Sequence, residues 1–192
     1  IVCNDLNDYK IIHSLRAHGW DRGLNKSKKN SFNFINSGFN LRPMDITAAI
    51  GLNQFKRLNK MIKIRAKNRS KIINSVRKSE KWSNQIDFLN PTKKVTPSWF
   101  GLPMLINKKF LFKKKRYLKY LNKNGIETRP IISGNFLKQP AAKLYKLKKK
   151  NEYFKNADEI DKRGFFIGLH TKTIDQKTVK FLTNKLLNIK NI

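Results

Sequence analysis

The sequence predicts an α/β protein, and three observations carry that prediction. Residues 98–192 alternate short β-prone apolar runs with amphipathic helical runs, the order of a small lobe in which helices cover one face of a sheet. Ahead of that lobe, residues 45–78 hold a helical apolar period for an unusual length. Finally, 39% hydrophobic and 11% aromatic residues in a chain of 192 supply enough apolar surface for a real core, which separates the chain from disordered sequences.

Taken in order, Ile1-Val2-Cys3 reads as the end of a strand running into a helix from about Asp5 to His18. Leu6, Tyr9, Ile12 and Leu15 form the stripe of that helix, and Gly19 stops it. His13 falls on its polar side, where an exposed, inert histidine is expected. His18, inside the dense run Arg16–Arg22, either caps the helix end or serves as a ligand or proton carrier. Residues 23–36 lack periodicity, as functional or disordered loops do. In Ser37–Arg42, Gly38 is read as permitting a backbone turn closed to other residues, and Pro43 forces Arg42 into an extended conformation. Asp45 is read as the N-cap of the helix that follows. Asn40 and Arg42 are thereby presented beside a helix N-terminus, which suits an anionic group such as a phosphate. The alternative is an ordinary helix-start loop.

The helical pattern over 45–78 places Ile46, Ile50, Phe55, Leu58, Ile62, Ala66, Ile73 and Val76 on its apolar positions. Unbroken, it would be about 50 Å long, more than one compact domain covers, so it either bends or bridges two lobes. Ser98–Ile106 reads as a strand, with Pro103 making part of it an edge or a bulge. Phe110–Asn124 is a basic helix with Leu111, Tyr117, Leu118 and Leu121 inward and Gly125 as its cap. A strand over Ile126–Ile132, a turn at Ser133-Gly134-Asn135, helices over 141–149 and 156–162, a short strand Phe165–Ile167 leading to Gly168-Leu169-His170, and a helix Ile174–Leu187 complete the reading.

The net charge of +31 invites a nucleic-acid function. Against it, lysines outnumber arginines roughly three to one, the pattern left by drift towards A/T-rich codons. The basic residues are also scattered, without the aromatics that stack on bases. Nucleic acid is therefore not expected as a partner. A single cysteine, Cys3, excludes an internal disulfide and a cysteine-rich metal site. No apolar run reaches the length of a membrane span, and a soluble chain in a reducing, cytoplasmic setting is expected.

Several stretches resemble one family. Arg16-Ala17-His18-Gly19-Trp20, Gly38–Pro43, Ala48–Gln54, Ser98–Gly101, Gly125–Lys138 and Asn156–His170 are similar, in this order, to the DegT/DnrJ/StrS family of fold-type I, pyridoxal-phosphate-dependent enzymes acting on nucleotide-linked keto sugars. The stretches Ile131–Lys138 and Gly164–His170 look most like its GDP-4-keto-6-deoxymannose 3-dehydratase branch, with a nucleotide-sugar aminotransferase as the alternative. The resemblance implies the C-terminal part of such an enzyme. Residues 1–44 would end the large cofactor domain, 45–80 would form the linking helix, and 81–192 the small α/β domain. It implies a homodimer in which Asn40 reaches the phosphate of the partner subunit's pyridoxal 5'-phosphate and Arg42 meets that phosphate or the sugar substrate, the cofactor being cycled through pyridoxamine 5'-phosphate by an amino-acid donor such as glutamate.

Substrate contacts implied by the resemblance fall on Arg129, His170 and Asn135. Each has a structural alternative: a salt bridge for Arg129, a cap for His170, the turn itself for Asn135. Arg16, His18 and Trp20 would shape the site's rim, while Trp99 and Phe100 are expected in the core. The catalytic Lys or His of the family lies upstream of the positions matched, so no catalytic residue and no metal ligand is expected here.

Overall fold

A computed structural model describes residues 1–21, 24, 33–132, 134–140, 142 and 154–192. Most of the loop expected over 23–36 and, apart from the buried Ala142, the helix expected over 141–149 lie outside the described residues. The chain forms two compact units, Ile1–Lys56 and Arg57–Ile192.

In the first unit, α1 (Leu6–Leu15) starts at Asp5, whose carboxylate accepts from the Asn7 and Asp8 amides at 2.8 and 2.9 Å. Ile1-Val2-Cys3 is irregular rather than strand, with Ile1 and Val2 fully exposed. The helix ends three residues before the expected His18. There His18 and Gly19 both turn left-handed (φ 63° and 86°), and residues 39–41 dock on the helix end. His18 N–H donates to the Phe39 carbonyl (2.9 Å), Phe39 N–H to Leu15 (2.7 Å) and Leu41 N–H to Arg16 (2.9 Å). Gly38 is needed for this docking, not for an unusual turn. Its backbone is not left-handed, but a Cβ there would strike the Gly19 amide and the Leu15 carbonyl. α2 (Asp45–Phe55) follows. Its N-cap is Met44, and Asp45 is instead the first helical residue, where a carboxylate complements the positive end of the helix.

The second unit begins with α3 (Leu58–Arg77). The continuous pattern over 45–78 is thus interrupted at Lys56-Arg57, and no Gly or Pro announces the break. Four antiparallel strands form one sheet in the order β1 (Ile86–Phe88), β2 (Gly101–Ile106), β4 (Gly164–Gly168), β3 (Thr128–Arg129). Pro103 sits inside β2 opposite Phe166 of β4, yet β1 covers β2 only from Met104 to Ile106. Pro103 therefore occupies a stretch where one side of β2 is a free edge, as its missing N–H requires. The strand expected over 126–132 contracts to two paired residues because Pro130 cannot extend the ladder.

Alternation in β2 and β4 sends Leu102, Met104, Ile106, Phe165 and Ile167 to one face. They form one core with Ile72, Ile73 and Val76 of α3, Tyr117 and Leu121 of α4 (Lys114–Lys123), and Leu186 and Leu187 of α6 (Gln176–Leu187). A 3-10 turn, Lys108–Lys113, leads into α4, and Gly125 (φ 75°) follows its end. α5 (Lys155–Arg163) packs against β4 and β2, with Arg163 donating to the Ile106 carbonyl at 2.7 Å. Asp175 caps α6 through the Thr178 amide at 2.7 Å.

Candidate functional site

In the first unit the segment 38–42 displays its polar side chains. Asn40 is tied by backbone pairing to Ala17, and its amide side chain is exposed. Arg42 is exposed as well, its guanidinium 5.7 Å from the centroid of Trp20. A cation at this distance from an aromatic face is attracted to it, and the exposed guanidinium can still meet a bidentate acceptor. Trp20 pairs with Phe34, and the buried Asp21 carboxylate accepts from the Asn33 amide at 2.8 Å. His13 departs from expectation. It is half-buried, its Nε2 lies 3.1 Å from Arg16 Nη2, and its Nδ1 is enclosed without a hydrogen-bond partner among the described residues. Burial, then the charges of Arg16 and Arg42, hold its pKa below the usual histidine range. The ring nitrogen accepts from Arg16 and so helps to hold the Arg16 side chain in place.

The second unit contains a cleft of about 710 Å³ whose lining includes Arg65, Phe100, Arg129, Phe166, His170 and Phe181. The structure thus brings Arg129 and His170, two of the residues singled out in the sequence, to one surface. Arg129 is positioned by its pairing on β4 opposite Phe166, and its Nε lies 2.8 Å from Glu127 Oε1. Both members of that pair are solvent-exposed, so it steadies the side chain rather than consuming it. His170 follows β4, and its Nδ1 accepts the Lys172 amide at 2.9 Å.

Phe100, expected in the core, is 65% exposed and forms part of the cleft wall, tilted against Phe166 at 6.1 Å with the Arg65 guanidinium 5.9 Å from its ring. Its neighbour Trp99 adopts a left-handed backbone (φ 46°) and does pack on the core, with the Arg69 guanidinium 4.0 Å from its ring. Arg65 was not visible as a candidate in the sequence. Among the described residues its Nε is enclosed without a hydrogen-bond partner, a polar group that burial ordinarily does not leave unpaired.

Asn135 is elsewhere. It is buried outside the cleft, its Nδ2 donating to Asp158 Oδ1 at 2.9 Å and its Oδ1 accepting the Leu137 amide at 3.1 Å. Of its two readings, the turn is the one its hydrogen bonds support. Asp158 also meets Lys138 at 2.9 Å, and Lys138 reaches Asp161 at 2.7 Å. The Asn135 amide first, then the Lys138 ammonium, hold the Asp158 carboxyl down to about 2. Among the described residues, no group of His, Cys, Asp and Glu is arranged to hold a metal ion, and no helix is long and apolar enough to cross a membrane.

Comparison with known proteins gives this geometry a context. The chain is 34% identical over 181 residues to the GDP-4-keto-6-deoxy-D-mannose 3-dehydratase of Escherichia coli O55:H7, covering 88% of this chain and 45% of the relative. The solved structure of an E. coli GDP-4-keto-6-deoxy-D-mannose-3-dehydratase with bound hydrated PLP superposes with a TM-score of 0.78 at 32% identity, over 96% of this chain and 49% of that one. A variant of GDP-4-keto-6-deoxymannose-3-dehydratase (ColD) with bound GDP-perosamine superposes with a TM-score of 0.79 at 32% identity, again over 96% and 49%. The chain therefore has the fold found in about half of these enzymes, and it spans about half their length. The profile of the DegT/DnrJ/EryC1/StrS aminotransferase family matches residues 1–186, and the chain belongs to that family.

Proposed function

We propose that this chain is the part of a pyridoxal-phosphate-dependent 3-dehydratase, acting on a GDP-linked 4-keto-6-deoxysugar in lipopolysaccharide deoxysugar synthesis, that carries the trans-reaching loop and the substrate-facing small lobe. The observation carrying the proposal is the 34% identity to a dehydratase of that specificity over nearly nine-tenths of the chain. In this reading the enzyme is a cytoplasmic homodimer. In the same reading, the side chains that work on the cofactor's reactive carbon would lie in a portion of the enzyme that this chain does not match.

The residues present fit the cofactor's phosphate. Asn40 offers an exposed amide donor, and Arg42 offers an exposed planar fork that no carboxylate among the described residues occupies, within 5.7 Å of the Trp20 ring centroid. Across the dimer, the two would hold the phosphate of the neighbouring subunit. When bound, the coenzyme supplies the amine and the electron sink that a sugar ketone needs, with an amino acid such as glutamate as donor. In the small lobe Arg129 and His170 would orient the substrate, with Phe100 and Phe166 excluding water from the apolar side of the sugar.

The test is the product formed from GDP-4-keto-6-deoxymannose by the intact protein containing this chain, given pyridoxal phosphate and glutamate and read by mass spectrometry. A 3-deoxy product, lighter by one oxygen atom, is expected. A sugar whose keto oxygen has been replaced by an amino group would assign the aminotransferase reaction instead, and an unchanged substrate would overturn the proposal.

A further inference from the structure

We propose that Asn68 is a positioning residue that fixes His170 as a hydrogen-bond donor at the cleft, so that the cleft selects a ligand presenting an acceptor oxygen there. Asn68 lies in the middle of α3 and is completely buried. An asparagine in that position is costly unless its amide is fully engaged. Its partners all lie in one short segment more than a hundred residues away in sequence. Nδ2 donates to the His170 carbonyl at 3.0 Å and to the Lys172 carbonyl at 2.8 Å, while Oδ1 accepts the Ile174 amide at 3.2 Å. One turn further along α3, Lys71 Nζ donates to the Ile174 carbonyl at 2.9 Å. The connector between β4 and α6 is thereby pegged at both ends to a buried helix face.

The consequence falls on the imidazole. Within the pegged connector, the Lys172 N–H points at His170 Nδ1 from 2.9 Å. A nitrogen that accepts an amide proton carries none of its own, so in the neutral ring the proton resides on Nε2. His170 lines the cleft, and Nε2–H is the ring group left for a ligand. Arg65 and Arg129, on the same lining, are also donors only. A hydroxyl, carbonyl or phosphate oxygen satisfies this arrangement, whereas an ammonium group does not. Without the Asn68 pegs the connector could rotate, Nδ1 would lose the Lys172 amide, and the tautomer would no longer be dictated.

The inference rests on the substrate-side role proposed for this cleft, and the experiment separates the two. Long-range ¹H–¹⁵N spectra of the full chain labelled at histidine should show His170 as a single Nε2–H tautomer at neutral pH. An Nδ1–H tautomer or an even mixture overturns the proposal. Asn68→Asp keeps the acceptor for Ile174 and removes both donations, so the His170 signals should move towards the mixed pattern. In the intact protein, KM for GDP-4-keto-6-deoxymannose should rise about tenfold with kcat little changed. Unmoved His170 signals in a folded Asn68→Asp protein overturn the positioning. Shifted signals with an unchanged KM uphold the positioning of His170 and overturn its part in ligand selection. If Asn68→Asp does not fold, hydrogen exchange of the unsubstituted chain decides. Lys172 and Ile174 amides as protected as those of α3 uphold the pegging, and fast exchange overturns it.

Discussion

Tyr117→Phe removes one oxygen atom from the most enclosed part of the second unit. Tyr117 is fully buried, stands edge-on to Phe165 at 5.9 Å, and donates its hydroxyl proton to the Leu186 carbonyl at 2.8 Å. That carbonyl lies in the last turn of α6, where a helix runs short of its own partners. Phenylalanine preserves the ring packing, so the loss is the hydrogen bond plus the burial of an under-satisfied acceptor, about 1–3 kcal/mol. For a unit of this size that corresponds to about 3–10 °C in Tm.

Burial also pushes the Tyr117 phenol well above the usual tyrosine range. The folded chain thus keeps a proton that the unfolded chain releases above about pH 10. The contribution is complete below that pH and fades as pH rises beyond it, so the stability gap between parent and variant should narrow in alkaline solution. Thermal melts followed by circular dichroism and tryptophan fluorescence across neutral and alkaline pH measure both quantities. Tyr120→Phe is the control: this partly buried ring packs beside Lys185 at 5.6 Å, and its substitution should stay within about 0.5 kcal/mol. Equal stability of Tyr117→Phe and the parent, or a gap that does not narrow at high pH, would refute the reasoning.

Asp158 provides the acid-side counterpart. Its carboxyl is held down to about 2 in the folded chain against about 3.9 in an unfolded one. Its contribution is therefore present above about pH 4 and lost as pH falls towards 2. Urea titrations across that window should show a shallower acid dependence for Asp158→Asn, and an identical dependence would count against the Asn135–Asp158–Lys138 node. Gly134→Ala places a side chain on a left-handed residue (φ 50°) directly against Asp161, and should destabilise the second unit by about 1–3 kcal/mol in chemical denaturation. Arg42→Ala, at an exposed position, should leave the melting of the chain unchanged while raising the pyridoxal phosphate concentration needed to saturate the intact protein, measured by cofactor absorbance. Ile46→Ser with Ile50→Ser should reduce the binding of a hydrophobic dye by the 192-residue chain and shift stability by less than about 0.5 kcal/mol per site, since both residues are largely exposed.

Elements whose pattern is satisfied by near neighbours were legible in the sequence. α4 follows from the spacing of Tyr117, Leu118 and Leu121 with Gly125 behind them, and β4 from the apolar run Phe165–Ile167, which the structure extends by one glycine at each end. What escaped was set by partners distant in the chain. β1 is three residues long and exists because Ile86–Phe88 pairs with Met104–Ile106. Phe100 looks like core because its composition is apolar, and only the left-handed Trp99 before it goes with its place in the cleft wall. Of the candidate cleft residues, Arg129 and His170 could be named from short motifs at strand ends. Asn68 and Arg65 could not, because nothing in a helical stretch rich in Lys, Arg and Ile marks which polar side chain faces a connector a hundred residues away. The same limit applies to His13, whose enclosure comes from the packing of its own unit rather than from its place on the helix.

α2 and α4 carry opposite messages about what a helix sequence records. α4 is amphipathic, and this chain satisfies it: Tyr117 and Leu121 are buried, and its lysines and Arg116 are on or near the surface. α2 is apolar around much of its circumference, and none of its residues is buried within its own unit, with Ile46, Ile50, Leu52 and Phe55 each at least 60% exposed. A helix of that composition is one written for enclosure. Gly51 sharpens the point. Mid-helix glycine costs about 1 kcal/mol relative to alanine, and a Cβ at Gly51 would meet nothing within 4 Å among the described residues, so no described neighbour accounts for it. Both anomalies have one physical resolution in the proposed function, where a second body packs closely on α2 and the adjoining Asn40 and Arg42 face that body's bound phosphate. Close backbone approach would then explain Gly51, apolar burial would explain Ile46 and Ile50, and the exposed amide and guanidinium would have their anion. One such interface would account for all three features.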